Sequence, residues 1–364
     1  MGNIKALVAG AGGIANYHIH GYITAGAEVV GIADVDVKRA EEKPKLYGIK
    51  NVYSSYDEML EKEKSASCVS ICLPNYLHCE TVIKALKSGK NVFCEKPPAL
   101  NASETRKMMD IAKEEKKVLM FDFNNRARPE SQALMRYIKS GDVGRINSAQ
   151  ALWIRRCGIP GFGGWFTQKK LSGGGPVIDL LHMIDLALYF MGFPEPDWVL
   201  SGIFNDFSGN PDFKGPWGIP DVKGGKMDVE TSAHSFIRFK TGQVLFTRNS
   251  WAEMNKREEV SVTFQGTKAG GMIRRLFGRD GIDETAIDEC EVYTMEYGKP
   301  VNRKVITEPD EKMGRERAVI NFVKTVKGEE EPYSRAEEAV ILMKIIDAIY
   351  TSAEKKEPVK IYLY

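Results

Sequence analysis

The sequence predicts two domains of different class: an α/β domain built on a parallel sheet over 1–123, followed by an α+β domain over 124–364. Three observations predict this. Short apolar runs of strand length alternate with helical segments as far as about residue 123, the signature of βαβ units. Beyond residue 124 strand-like runs follow one another without intervening helices, which implies an antiparallel or mixed sheet. A chain of 364 residues also exceeds what one ordinary core holds.

The first strand spans 4–9 and runs directly into Gly10-Ala11-Gly12-Gly13-Ile14-Ala15. This is G-x-G-x-x-A between a strand and a helix, the context in which the pattern points to dinucleotide binding. Gly10 allows the tight turn, Gly12 lets backbone approach a pyrophosphate, and Ala15 keeps helix and strand close. The N-terminus of the following helix then faces phosphate with free N–H groups and its positive dipole end. A second strand, 28–34, ends in Asp34, about 20 residues past the glycines, where a ribose ligand is expected. The competing role for Asp34 is to cap the helix that starts near Val37. A carboxylate there repels a 2′-phosphate and favours NAD, while Lys38 and Arg39 nearby keep NADP open.

Further elements follow in order: a polar helix to about 47, a strand at 51–53, a helix at 56–62 and a strand at 68–74. That last strand is apolar enough to be buried on both faces. A helix over 78–88 stops at Gly89, a strand occupies 91–95, a helix 102–117 and a last strand 118–123. Ligands gather at the carboxyl ends of such strands. There stand Pro74-Asn75-Tyr76-Leu77-His78 and Cys94-Glu95-Lys96-Pro97-Pro98. Asn75 and His78 also suit a turn and a helix start. Lys96, locked between Glu95 and two prolines, is held rigidly, and either X-Pro bond is able to be cis.

In the second domain a helix spans 130–140, and strands are expected at 148–155, 199–204, 228–239, 244–251 and 260–265, with a hairpin turn at Lys240-Thr241-Gly242-Gln243. Glu230, Ser232, His234 and Arg238 alternate with Val229, Ala233, Ile237 and Phe239, so one sheet face packs on helices and the other meets solvent or another subunit. Residues 205–226, rich in Gly, Pro and Asp, form an ordered excursion or a flap. A final amphipathic helix covers 336–354.

A second constellation is Gly173-Gly174-Gly175-Pro176-Val177-Ile178-Asp179-Leu180-Leu181-His182. Asp179 and His182, three apart, are expected on one face of a single helix, where the carboxylate fixes the tautomer and basicity of a general base. The alternative is a hydrogen-bonded pair inside a helix interface. Three preceding glycines that let something approach the helix start favour the functional role. Trp153, Arg155, Arg156, Trp165 and Tyr333 are candidates for substrate contact. The two arginines point to opposite faces of a strand, and Trp153 fits the core equally well.

Composition excludes several classes. With 43% hydrophobic and 27% charged residues and a net charge of +2, the chain has no basic block for nucleic acid or an anionic membrane. No apolar run approaches the ~18 residues of a membrane span, and the N-terminus lacks signal-peptide features, so the cytoplasm is expected. Six cysteines without C-x-x-C spacing read as buried reduced thiols, and no metal site is expected.

With the glycine turn, Glu95-Lys96-Pro97, the Gly-rich Asp/His stretch, Asn124-Asn125-Arg126 with Pro129, and Glu331-Pro332-Tyr333, the chain resembles the glucose–fructose oxidoreductase / myo-inositol dehydrogenase (Gfo/Idh/MocA) family over nearly its whole length. The resemblance implies a Rossmann domain and a C-terminal α+β domain whose large, mainly antiparallel open sheet makes a homo-oligomer, dimer or tetramer. It also implies NAD(P)-dependent oxidation or reduction of a secondary alcohol on a sugar, polyol or derivative. By position, Lys96 is the lysine that hydrogen-bonds the reacting hydroxyl, His182 the acid/base and Asp179 its partner. Gly10, Gly12, Gly13, Ile14, Ala15, Asp34, Pro74, Asn75, His78, Glu95 and Lys96 fall at cofactor positions. Arg155, Arg156, Trp165 and Tyr333 are the substrate candidates. Family members commonly have four positions from the aspartate to the histidine; this chain has three. Two other readings remain: an NAD-dependent glycoside-cleaving enzyme of the same fold, and a cofactor-binding sensor, against which the retained Lys96, Asp179 and His182 argue.

Overall fold

The computed structural model describes residues 4–277 and 287–363, so the first three residues and Tyr364 of the expected domain spans lie outside it. It comprises two compact units: Met1–Ala99 with Ser103–Arg128 and Asp310–Val340, and Leu100–Ala102 with Pro129–Pro309 and Ile341–Tyr364.

The first unit is a parallel six-stranded sheet of β1 (Lys5–Ala9), β2 (Glu28–Ala33), β3 (Asn51–Tyr53), β4 (Cys68–Ile71), β5 (Asn91–Cys94) and β6 (Leu119–Phe121), in the order β3-β2-β1-β4-β5-β6. Every residue of β4 is buried, as its unbroken apolar character requires. The connecting helices are α1 (Ala15–Thr24), α2 (Val37–Tyr47), α3 (Tyr56–Lys62), α4 (His78–Lys87) and α5 (Ala102–Glu114). Polar caps start two of them: Asp36 accepts from the Arg39 N–H at 3.3 Å, and Ser55 from the Glu58 N–H at 3.4 Å. The strand order reverses direction between β1 and β4, so the loops after these two strands flank the switch point.

The sequence names no element between residues 266 and 330, yet the helix Arg315–Val326 belongs to this unit. It packs on α1, where Gly21 permits the approach: a Cβ there would lie 2.7 Å from that of Val319. Phe322 packs against Phe93 with ring centroids 5.4 Å apart, inside the unit's apolar core. After it, Ser334 pairs with the edge of β6, accepting from the Phe121 N–H at 3.3 Å and donating to its carbonyl at 2.8 Å. Arg126, fully buried, donates to the Tyr333 carbonyl at 2.8 Å and pairs with Glu338, which joins two of the stretches that carried the family resemblance.

The second unit carries a nine-stranded sheet: β7 (Ile146–Ile154), β8 (Pro196–Phe204), β9 (Ser232–Phe239), β10 (Val244–Ser250), β11 (Glu258–Gly266), β12 (Gly270–Phe277), β13 (Ile287–Glu296), β14 (Lys299–Lys304) and β15 (Val359–Lys360). The order is β14-β13-β12-β11-β7-β10-β9-β8-β15, antiparallel throughout except for the parallel pair β7–β10. The helix His182–Met191 covers one face over β7 and β11. The other face leaves Phe204, Phe236 and Phe246 exposed at 49%, 39% and 37%. The hairpin turn at 240–243 forms as expected, with Gly242 at φ 84°. Glu230 departs from the expected alternation, because β9 begins only at Ser232 and the Glu230 carboxylate is buried. Residues 205–226 are an ordered excursion at least in part. Phe213 enters a small core with Ile159, Leu180 and Trp251, and Lys214 pairs with Asp221 at 2.7 Å. Among the described residues, no single helix is long and apolar enough to cross a membrane.

Candidate active site

In the first unit the glycine turn closes β1 at the switch point. Gly10 sits at φ 94°, and a side chain there would overlap the Cys72 carbonyl. At Gly12 and Gly13, by contrast, an added Cβ would meet nothing within 4 Å, which leaves the turn open to a close-approaching ligand. Ile14 leads into α1 with no side-chain cap, and Ala15, its first residue, is buried against the sheet. Asp34 does not cap α2; Asp36 does. The Asp34 carboxylate instead accepts from the N–H groups of Ala11, at 2.7 Å, and Asp36, at 2.8 Å, which fixes it beside the glycine turn. These residues fit a dinucleotide: an open glycine turn for pyrophosphate and an oriented acid for ribose.

Past β4, Pro74 precedes a short 3₁₀ turn, Asn75–Leu77, in which Asn75 is buried. His78 opens α4 wholly buried, its ring nitrogens 2.8 Å from the carbonyls of Pro97 and Leu73. Two acceptors favour a protonated ring; burial pushes the imidazole below its usual value and prevails, leaving one donated proton. His78 thereby ties the loop after β4 to the loop after β5. The Lys96–Pro97 bond in that second loop is cis.

Glu95 is buried behind Lys96. One carboxylate oxygen meets His18 Nε2 at 3.1 Å, and the other accepts from the Lys96 N–H at 3.1 Å. Asp122, at the end of β6, lies 3.8 Å from the same His18 nitrogen. His18 looks isolated in sequence, and no local pattern marks it; the parallel sheet brings both acids to it. Burial alone would raise Glu95, but the hydrogen bond and charge of His18, with the Lys96 and Arg315 cations, overcome this and pull it to about 2. Burial, then repulsion from Glu95, pushes Asp122 well above the usual carboxylate range.

In the second unit, Asp179 and His182 do not share a helix. Asp179 ends the one-turn helix Pro176–Asp179, and His182 begins the helix His182–Met191, bent by 55° from the segment before it. The break at Leu180–Leu181 is held by distant residues: Asn249 donates to the Leu180 carbonyl at 3.0 Å, and Trp251 Nε1 donates to the Asp179 carboxylate at 2.9 Å. His182 lies against Trp153, with ring centroids 5.7 Å apart. The Trp153 indole donates to Glu258 at 3.0 Å, and so does Arg155 Nε. The Arg155 guanidinium is sandwiched between Trp153 at 5.2 Å and Trp217 at 4.2 Å, so the 205–226 excursion reaches this surface. Arg156 is half-buried, and Trp165 stacks on Phe166 at 3.9 Å. Tyr333 packs against the core of the first unit.

The glycines before Asp179 serve the protein's own packing. A side chain at Gly174 would overlap the Tyr350 hydroxyl, and one at Gly175 the Glu230 carbonyl. Glu230 accepts from the N–H groups of Gly175 at 3.1 Å and Val177 at 3.2 Å, and from Tyr350 at 2.8 Å. Burial nonetheless raises its carboxyl. Glu230, Tyr350, Trp251 and Glu258 were not foreseen, since each acts through a partner far away in sequence.

Residues 4–123 match an oxidoreductase family described by its NAD-binding Rossmann fold, and 136–361 match that family's C-terminal alpha/beta domain (Gfo/Idh/MocA). The chain belongs to this family. Within it, the protein is 33% identical over 358 residues to the D-glucoside 3-dehydrogenase of Escherichia coli (strain K12), spanning 96% of this chain and 95% of that one. It is 25% identical to the myo-inositol 2-dehydrogenase of Thermotoga maritima (strain ATCC 43589 / DSM 3109 / JCM 10099 / NBRC 100826 / MSB8), over 91% and 90% of the two chains. A levoglucosan dehydrogenase solved with NADH and levoglucosan shares the fold, with a TM-score of 0.84 at 22% identity and full coverage of both chains. This member of the Gfo/Idh/MocA family is thus an oxidoreductase with an NAD-binding Rossmann domain.

Proposed function

We propose that this protein is an NAD-dependent dehydrogenase that oxidises a secondary hydroxyl of a pyranose sugar or glycoside. The observation that carries the reading is the 33% identity, over almost the whole of both chains, to a dehydrogenase of D-glucosides. Bound NAD would supply the hydride acceptor. Gly12 and Gly13 would admit its pyrophosphate and Asp34 its ribose, with Ile14, Ala15, Pro74, Asn75 and His78 shaping the surrounding loops.

Lys96 is proposed to donate a hydrogen bond to the reacting hydroxyl and stabilise the alkoxide charge that develops as hydride leaves carbon. His182 is proposed to take the hydroxyl proton, its ring steadied by Trp153, with Asp179 held in place by Trp251. The carbon loses a hydride and the oxygen a proton, which leaves a ketone. Arg155, Arg156 and Trp165 are the proposed sugar contacts in the second unit. Arg155, stacked between two indoles and paired with Glu258, is the most firmly placed of the three.

The test is NADH formation at 340 nm with methyl glucosides, free aldoses and polyols. Lys96→Met should lower kcat/KM by at least about 10²–10³-fold while NAD still binds by fluorescence titration. Unchanged turnover would remove Lys96 from the chemistry. Reducing-sugar release without net NADH would favour the glycoside-cleaving reading.

We also propose a homo-oligomer formed through the outer face of the nine-stranded sheet, supported by the exposed Phe204, Phe236 and Phe246. Light scattering should return a multiple of 40.7 kDa, and Phe236→Glu with Phe246→Glu should return the monomer mass.

A further inference from the structure

Residues 205–226 leave the nine-stranded sheet between β8 and β9 and lie along residues 158–163 of the same unit. Backbone hydrogen bonds run the length of this contact. The Ile159 N–H donates to the Phe213 carbonyl at 3.0 Å, Gly215 back to Ile159 at 2.9 Å, Ile219 to Pro160 at 3.1 Å and Val222 to Phe162 at 2.8 Å. Glycines make the close approach possible: a Cβ at Gly215 would lie 3.0 Å from the Gly158 Cα, and one at Gly218 would overlap Pro160. Phe213 and Ile159, both buried, anchor the two stretches in the small core around Trp251. A segment bonded along its backbone and anchored in this way is a mount for the side chains it carries.

The side chain of interest on that mount is Trp217. Its indole lies on the Arg155 guanidinium at 4.2 Å, yet the residue remains 37% exposed. Arg155 lies in turn on Trp153 at 5.2 Å, and Trp153 lies against His182 with ring centroids 5.7 Å apart. A row of side chains in contact therefore leads from the proposed acid/base, through the proposed sugar contact Arg155, to an exposed indole. None of the proposed chemical steps uses that indole.

We propose that Trp217 is the platform for the part of the substrate that is not oxidised: a neutral ring, aryl or pyranose, attached through the glycosidic oxygen of the sugar that reacts. Tryptophan supplies a large, rigid, amphipathic contact surface at low cost in conformational entropy. The charges around it select a neutral ring over an anionic group. Arg155 beneath the indole is already paired with Glu258 at 3.0 Å, and Lys214, three residues before it, with Asp221 at 2.7 Å. A phosphate calls for charged donors free to bind it, whereas this end of the row presents an indole over a neutralised pair. The assignment rests on the glycoside-oxidising reaction proposed for this protein, and it names the half of the substrate that the reaction leaves untouched.

The test compares two ligands that differ only beyond the oxidised ring, methyl and phenyl β-D-glucoside. The full-length protein is titrated with each by calorimetry in the presence of NADH, so that no oxidation takes place. Wild type should bind the phenyl glucoside more tightly. In Trp217→Leu the ratio of the methyl to the phenyl Kd should fall about tenfold, the scale of one good aromatic contact. Trp217→Phe should restore most of the preference, because it keeps a ring face.

A variant that merely loosens the fold weakens both ligands and leaves the ratio unmoved, and that result would overturn the proposal. So would tighter binding of glucose 6-phosphate than of phenyl glucoside, or no binding of phenyl glucoside by wild type. A lower mass for Trp217→Leu than for wild type in light scattering would also overturn it, by showing that a second copy covers the indole. NADH formation from the two glucosides is measured separately with NAD. Turnover with a Kd ratio blind to Trp217 sinks the platform alone. A ratio that responds to Trp217, without turnover of either glucoside, keeps the platform and sinks the dehydrogenase.

Discussion

Two glycine-rich turns lead into helices in this chain, and they spend their missing side chains differently. Around Gly12 and Gly13 of the first unit, the space a Cβ would occupy is empty. Around Gly173, Gly174 and Gly175 of the second, it is filled by the chain itself: Leu100, Tyr350 and Glu230. In sequence both read as invitations to a ligand. The structure separates them, because a glycine that makes room for a ligand and one that makes room for a neighbour differ only in what lies opposite, and that is decided by distant residues.

Substitution to alanine turns this contrast into measurements. The largest effect is expected at Gly174, where the new methyl meets the Tyr350 hydroxyl inside a packed interface. Gly174→Ala should cost about 1–3 kcal/mol, read as a Tm several degrees lower, with activity falling alongside. Gly12→Ala should leave unfolding stability within about 0.5 kcal/mol of wild type while NAD Kd rises tenfold or more, the equivalent of about 1.4 kcal/mol. A Gly12→Ala protein that binds NAD normally, or a Gly174→Ala protein that melts normally, would erase the distinction.

A smaller effect concerns pH. Burial raises the Glu230 carboxyl above its ordinary value of 4.5. A group whose folded value is raised contributes stability that is complete below its unfolded value and is lost as pH rises through the folded one. Glu230→Gln has no such group, so the Tm advantage of wild type over this variant should shrink as pH climbs from about 4.5 towards neutrality. A constant difference across that range would mean that Glu230 titrates alike in both states.

The sequence made some of this legible and hid the rest for physical reasons. The βα alternation was readable because β1, β4 and β5 are short apolar runs, as strands covered on both faces are, set between helical segments. Strands β12, β13 and β14 were not foreseen. β14 is Lys-Pro-Val-Asn-Arg-Lys at the sheet edge and almost wholly exposed, so no apolar alternation marks it. Asp179 and His182 were expected on one helix because their spacing fits one. The helix breaks at Leu180–Leu181, where Asn249 takes up the Leu180 carbonyl and Trp251 holds the Asp179 carboxylate, and local periodicity cannot report hydrogen bonds supplied from seventy residues away. His18 carries no local mark for the same reason, since both of its acids arrive through the fold of the sheet. Lys96 is legible because its restraint is local: a glutamate before it and two prolines after it.

The clasp of Tyr350 on Glu230 and Gly174 also sets an order of events in time. At a synthesis rate of roughly 5–20 residues per second, the 176 positions from Gly174 to Tyr350 take about 10–35 s to emerge. For that interval the loop before His182 lacks the side chain that packs against its glycines and the hydroxyl that completes the Glu230 network. Helix α1 likewise waits for Val319 and Phe322. Each unit of the nascent protein is therefore finished by late-arriving sequence, and a ribosome stalled before residue 350 should hold a chain whose Trp251 fluorescence and protease resistance are not yet those of the released molecule.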